Sequence, residues 1–187
     1  MAAPADMTAA NISGKFVVRP GRPQNKEQSE KNDEILKNQG VSWMARKAAT
    51  VATPHLTIKH YKDASGVEHI EVEQAVAGNM LSEHRVLDSS QKTIDSPLMG
   101  KLVQQNRRVA AGELEVEWLK QGWLAESFVD GAIIHVTADS GAGKGDGKWH
   151  MEQVVGGQKK YVRRIHCVGQ KGEVVHGCLV YDYEGPL

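Results

Sequence analysis

The chain lacks net charge, has only two cysteines and contains no long apolar run. Its 23 basic and 23 acidic side chains cancel, so no global field draws it to nucleic acid or to an anionic membrane. Cys167 and Cys178 are too few for a secreted disulfide framework and suit a reducing compartment, where both are read as free thiols. No segment approaches the roughly 18 apolar residues of a membrane-spanning helix, and residues 1–15 hold no apolar stretch of signal-peptide length. A cytoplasmic protein with no stable membrane insertion and no nucleic-acid partner is expected. At 187 residues a second domain would leave neither half a comfortable core, so one domain is expected.

What the chain does have is alternation. Residues 12–18 (ISGKFVV) carry the β-branched and aromatic content of a strand, and 55–61 and 67–73 alternate in polarity around Ala64-Ser65-Gly66, the pattern of a half-buried hairpin. Further strands are predicted at 81–87, 101–109, 132–138, 149–155, 160–168 and 174–183, separated by glycine-rich turns such as Gly156-Gly157 and Lys171-Gly172. Convincing helix is confined to 32–52. There Ile35 and Leu36 sit among charges, Gly40 supplies a left-handed stop, Ser42 can cap a second helix and Pro54 ends it. Residues 112–129 place Leu114, Trp118 and Leu119 at helical spacing and read as a short helix inserted between strands. Residues 1–11 are expected to be a mobile tail, and 20–30 (PGRPQNKEQSE) a loop, since neither can bury much apolar surface. The resulting fold class is all-β: an up-and-down antiparallel β-barrel of about ten strands over 12–187, with a helix-turn-helix lid after the first strand.

Several chemical signals do not hold together. The Gly-Lys at 143–144 lacks the first glycine and the Ser/Thr of a phosphate loop, and a strand follows it where a helix is needed. Cys167, His176 and Cys178 are placed on one outer face but lack a fourth zinc ligand, so no metal is expected. No Gly-x-Ser-x-Gly elbow supports hydrolysis. Glu83, His84, Arg85 and Asp88 read as a solvated polar face. No cofactor is expected.

Within 32–58, the run Asp33-Glu34-Ile35-Leu36-Lys37, Gly40-Val41, Trp43, Arg46-Lys47, Ala52, Pro54 and Ile58 resembles the helix-turn-helix and following strand of cytosolic fatty-acid-binding proteins, members of the calycin and lipocalin-like group. The ending Leu179-Val180-Tyr181-Asp182-Tyr183-Glu184 resembles that family's last strand. Where the family carries an Arg-x-Tyr carboxylate anchor, this chain has Tyr181-Asp182-Tyr183. The Gly-Trp insertion and the Arg-Arg of the penultimate strand also resemble lipocalin-like proteins of fungal secondary metabolism.

The resemblance implies that Tyr181 and Tyr183 point into the cavity. If Gly156-Gly157 and Lys171-Gly172 are two-residue turns, the same face collects Trp149, Met151, Gln153, Val162, Arg164, His166 and Leu179. Arg164 then replaces the lost arginine as the anchor for a ligand oxygen, or it pairs with an acidic neighbour and snorkels to a barrel end. In the lid, Leu36, Val41, Ala48, Ala49 and Ala52 fall where the family lines its entrance. Two functions follow. One is an intracellular carrier of a hydrophobic small molecule, lipid-like or polyketide- or terpenoid-like. The other is a cofactor-independent isomerase or cyclase of pericyclase type, with Arg164, Tyr181, Tyr183 or His166 polarising a carbonyl or moving a proton.

Overall fold

A computed structural model of the chain describes residues 3–19, 23–76, 79–140, 150–157 and 160–187. Ten antiparallel strands follow the expected plan: β1 Gly14–Val17, β2 His55–Lys62, β3 Glu68–Val76, β4 Asn79–Val86, β5 Gln91–Ser96, β6 Gly100–Ala110, β7 Ala132–Ser140, β8 His150–Gly157, β9 Tyr161–Val168 and β10 Val174–Gly185. Their neighbour order is β4-β3-β2-β1-β10-β9-β8-β7-β6-β5, so the first strand is seated between the second and the last. The sheet curls until β4 nears β6. Among the described residues no backbone ladder joins β4 to β5, and the seam is bridged instead by the Ser89 N–H to the Asn106 carbonyl (3.1 Å) and by Gln104 Nε2 to Glu83 Oε1 (2.8 Å).

The helical pair is where the sequence put it, but the first helix is longer. Helix α1 runs Pro23–Asn38 and α2 runs Trp43–Val51. The loop expected at 20–30 is thus helical from Pro23. Proline is well suited to a helix's first position, and the Glu/Lys/Gln-rich stretch after it consists of good helix formers without an apolar face. Gly40, at φ +75°, ends α1 with the Val41 N–H on the Leu36 carbonyl at 3.0 Å. Ser42 Oγ accepts from the Ala45 N–H at 3.3 Å and opens α2.

Strand β5 has no sequence signature of its own. Its residues QKTIDS are mostly exposed, as a polar edge strand's are, so neither alternation nor apolar content marks it. The segment 112–129 is not one helix but three short turns, at Ala111–Glu113, Glu117–Lys120 (α3) and Ala125–Ser127. It buries Leu114 and Leu119 against Val109 and Ile133, on the outer side of β6 and β7. The tail expected to be mobile also packs down: Ala9 is buried, its N–H bonds the Glu126 carbonyl at 3.0 Å, and its carbonyl accepts from Arg108 Nη2 at 2.7 Å. Packing of Met7 against the barrel core accounts for the docking.

Candidate functional site

The inner face of the barrel divides into a packed end and a hollow one. Phe16, fully buried, meets the rings of Tyr161 and Tyr183 at 5.3 and 5.6 Å and fills one end with Ile12, Leu56, Ile58 and Ile70. At the other end a cavity of about 510 Å³ lies beneath the helices, within the usual range for small-molecule sites. Ile35, Leu36, Val41, Ala45, Ala49 and Ala52 form its roof; Val72, Leu81, Ile94, Leu102, Ala138, Ile165 and Leu179 form its apolar wall. Small alanines on α2 leave the roof thin. The elements framing the mouth also carry exposed apolar side chains: Trp43, Met44 and Val51 on α2, Met80 at the start of β4 and Leu98 in the turn after β5.

One corner of this wall is polar. Glu83 and Arg85, two residues apart on β4, share a face and form a two-pronged pair, Nε to Oε1 at 2.8 Å and Nη2 to Oε2 at 2.7 Å. Their backbone partners on β3 are Val72 and Ile70, residues of the apolar interior. The carboxylate also accepts from Gln104, while about a third of its side chain faces the cavity. Burial pushes the Glu83 carboxyl up, but the charge and hydrogen bonds of Arg85 outweigh that and hold it down at about 2. Burial alone would likewise lower Arg85; the Glu83 charge outweighs that and leaves it raised. Arg163 on β9 lines the same cavity and points Nη1 at the Tyr181 hydroxyl, 3.4 Å away. The Glu83 carboxylate thus stands between the guanidinium of Arg85, which it binds, and that of Arg163, whose charge also helps to hold it ionised.

This arrangement corrects the inward assignments in the last strands. Leu179 and Tyr181 line the cavity as expected, but their partners on β9 are Arg163 and Tyr161, not Arg164 and Val162. The reason is parity. The connection from Val168 to Val174 holds five residues rather than a two-residue turn at Lys171-Gly172, with the Gly169 N–H on the Glu173 carbonyl at 2.8 Å. An odd loop shifts the register by one residue and exchanges every face on β9.

Arg164 therefore lies outside, its guanidinium 4.7 Å from the Trp118 ring centre and 5.8 Å from that of Trp123. It clamps the inserted segment to the barrel. His166 is outside too, its Nδ1 2.9 Å from Nε2 of His176, and Val162 is buried away from the cavity lining. Cys167 goes inward, into the apolar cluster around Ile35 and Ile165, where burial pushes its thiol up to about 11. That separates it from Cys178 and His176.

Other expected positions divide as follows. Leu36, Val41 and Ala52 line the cavity; Ala48, on the exposed side of α2, does not. Tyr183 packs edge-on against Phe16 at the filled end rather than lining the cavity. Gly156 and Gly157 are paired in β8 with Val162 and Tyr161, so the turn falls later than expected. Met151 and Gln153 are backbone partners of Cys167 and Ile165. Trp149 and the Gly-Lys loop at 143–144 lie outside the described residues. Glu83, Arg85 and Gln104 are the site residues that sequence reading missed. The signal was available in the spacing: Glu83 and Arg85 stand at i and i+2 with Leu81, and so share its inward face.

No known family's model matches the chain, and no curated protein matches it. Among solved structures it is similar to the wild-type fluorescent protein UnaG, at 12% sequence identity and a TM-score of 0.55, over 92% of this chain and 97% of that one. The chain thus has the fatty-acid-binding-protein-like barrel fold that UnaG has.

Proposed function

We propose that the chain binds an apolar small molecule with an oxygenated end, taken through the lid into the barrel cavity and carried there out of water. The observation that supports this most is the pairing of a large, mostly apolar hollow with one polar corner, where Arg163 and Tyr181 can serve a carbonyl, carboxylate or hydroxyl oxygen and Glu83 can accept a ligand hydroxyl. The anchor role expected of Arg164 passes to Arg163. A lipid-like, polyketide-like or terpenoid-like body fits the apolar wall. A cofactor-free cyclase or isomerase would use the same corner, with Arg163 or Tyr181 polarising a carbonyl; Glu83, held low by Arg85, is a weak proton acceptor there.

The test is displacement of an environment-sensitive apolar dye by hydrophobic metabolites differing only in a terminal oxygen. A charge-assisted hydrogen bond contributes about 1.5 to 3 kcal/mol, so Arg163→Met should weaken the oxygenated ligand by about one to two powers of ten and leave its alkane analogue unaffected. Arg164→Met should leave both affinities in place. Recovering the ligand chemically altered would move the reading to the enzyme. Equal losses for both ligands in Arg163→Met would remove the anchor.

A further inference from the structure

An inward-facing carboxylate is unusual on the wall of an apolar cavity, and its hydrogen bonds show what it lacks. Side chains alternate along a strand, so Leu81, Glu83 and Arg85 of β4 share the inner face, as do Leu102, Gln104 and Asn106 of β6. A ligand does not meet these groups equally. The Arg85 side chain is 1% exposed and takes no part in the cavity lining, whereas that of Glu83 is 32% exposed and belongs to it. From β4, then, the charge presented to the cavity is negative.

An ionised carboxylate has about four acceptor positions, two on each oxygen. Oε1 of Glu83 takes Arg85 Nε at 2.8 Å and Gln104 Nε2 at 2.8 Å, but Oε2 takes only Arg85 Nη2, at 2.7 Å. One position on Oε2 is left, and no donor among the described residues fills it. Gln104 is held as it stands by Asn106 Nδ2, which donates to its Oε1 at 3.4 Å. On the opposite side of the corner the chain offers a donor. The Tyr181 hydroxyl accepts from Arg163 Nη1 at 3.4 Å and so keeps its own proton to give. Tyr181 and Arg163 line the same cavity as Glu83, and the Arg163 charge acts on the Glu83 carboxyl.

Resting on the cavity binding proposed above, we propose that Glu83 sets the class of ligand: it selects a neutral end group that carries both a donor and an acceptor, such as a primary amide or a hydroxyl beside a carbonyl, and turns away a carboxylate. The carbonyl of such a group accepts from Tyr181 or Arg163 while its N–H or O–H donates to Oε2 of Glu83. A carboxylate brings no donor and sets a second negative charge beside the first. At an effective dielectric of about 20, two like charges about 5 Å apart lower affinity by about two powers of ten. Arg163 offsets part of that. An ester escapes the repulsion but leaves Oε2 without its donor, a loss of about tenfold or more against the amide.

The experiment is displacement of an environment-sensitive apolar dye from the full chain by dodecanamide, methyl dodecanoate and dodecanoate, at about pH 8 so that the acid is ionised. The three share one chain and differ only in the end group. Dodecanamide should bind at least about tenfold more tightly than either of the others. Glu83→Gln removes the charge alone and should raise the affinity for dodecanoate by about tenfold or more. In Glu83→Leu combined with Arg85→Met the carboxylate and its buried partner leave together, which spares the fold where Glu83→Gln strands an arginine. There the order should invert, with dodecanoate held by Arg163 about tenfold more tightly than the amide. Dodecanoate binding as tightly as dodecanamide to the unaltered chain, or an unchanged order in the double variant, would overturn selection by Glu83 and leave cavity binding in place. A dye that does not bind, or that none of the three displaces, would overturn cavity binding and this selection with it.

Discussion

The two ends of the barrel each hold an inward-facing carboxylate in the grip of an arginine, and they differ in what is left over. At the packed end, Glu68 receives Arg108 Nε at 2.8 Å and Nη2 at 2.5 Å, and His60 Nε2 lies 2.6 Å from its Oε1. His60 in turn accepts the Ile12 N–H on Nδ1 at 3.2 Å, and Arg108 holds the Ala9 carbonyl. Nearly all of that capacity is spent on fixing the chain ahead of β1, and the void beside it is about 20 Å³, room for a single water. At the hollow end, Glu83 has the same kind of partner in Arg85 but keeps part of its surface open to about 510 Å³. An ion pair closed on all sides is architecture, whereas one with an open side beside a void is a place for a ligand.

The largest expected effect comes from breaking the two pairs separately. Glu68→Ala leaves Arg108 and His60 buried without their common partner, and stability should fall by about 3 to 5 kcal/mol in urea unfolding. At the hollow end, Glu83→Leu combined with Arg85→Met removes both charges together, so stability should change by less than about 1 kcal/mol or rise. Ligand selectivity should change there instead, with hydroxylated ligands losing their advantage over unsubstituted ones. A double variant as unstable as Glu68→Ala would erase the distinction between the two ends.

Acid sharpens the same comparison. Burial raises the Glu68 carboxyl, but the hydrogen bonds of His60 and Arg108 and the arginine charge outweigh it, and the group sits at about 2 against an ordinary 4.5. Glu83 is displaced equally, to about 2. A carboxyl lower in the folded than in the unfolded chain contributes its stabilisation in full above the unfolded value and loses it as pH falls through the folded one. The urea midpoint should therefore hold down to a pH of about 4.5 and drop between there and about 2. The Glu83→Leu/Arg85→Met double variant should show a shallower drop, because the Glu83 contribution is gone. Identical slopes would mean that Glu83 is not held down by Arg85.

The same contrast explains what could be read from the sequence. The lid turn at Gly40-Val41-Ser42 and the hairpin of β2 and β3 were legible because each rests on local chemistry: a left-handed glycine, a capping hydroxyl, strict alternation. Arg163 was hidden behind Arg164 because the choice between them depends on whether a loop has an odd or even number of residues, which residue types do not encode. Glu83 and Arg85 looked like a solvated face because a charge on a strand usually is one. Their spacing from Leu81 assigns them to the inward face, and the curvature that brings β4 to Gln104 on β6 turns that face into a cavity wall. The first half of α1 was missed for the opposite reason, since its residues favour helix without offering an apolar stripe to a core.

The smallest expected effect is at a close contact between helix α1 and the barrel. Gly177 on β10 lies opposite Ile165, and helix α1 crosses so near that a Cβ built there would be 2.7 Å from Cδ1 of Ile35. Glycine inside a strand commonly marks such an approach. Gly177→Ala should not unfold the protein, because the atom met is the free end of a flexible side chain and Ile35 can change rotamer. A stability cost of about 1 kcal/mol or less is expected, at the low end of overpacking. Ile35 also belongs to the cavity roof, so the displaced side chain should lift α1 slightly and loosen the cover over the ligand. Stopped-flow measurement of dye release should show the off-rate rising several-fold, while dye affinity falls by the same factor and the on-rate barely moves. If release is unchanged while stability falls by 3 kcal/mol or more, the close approach is a rigid packing contact of the barrel wall, and the lid does not open about this point.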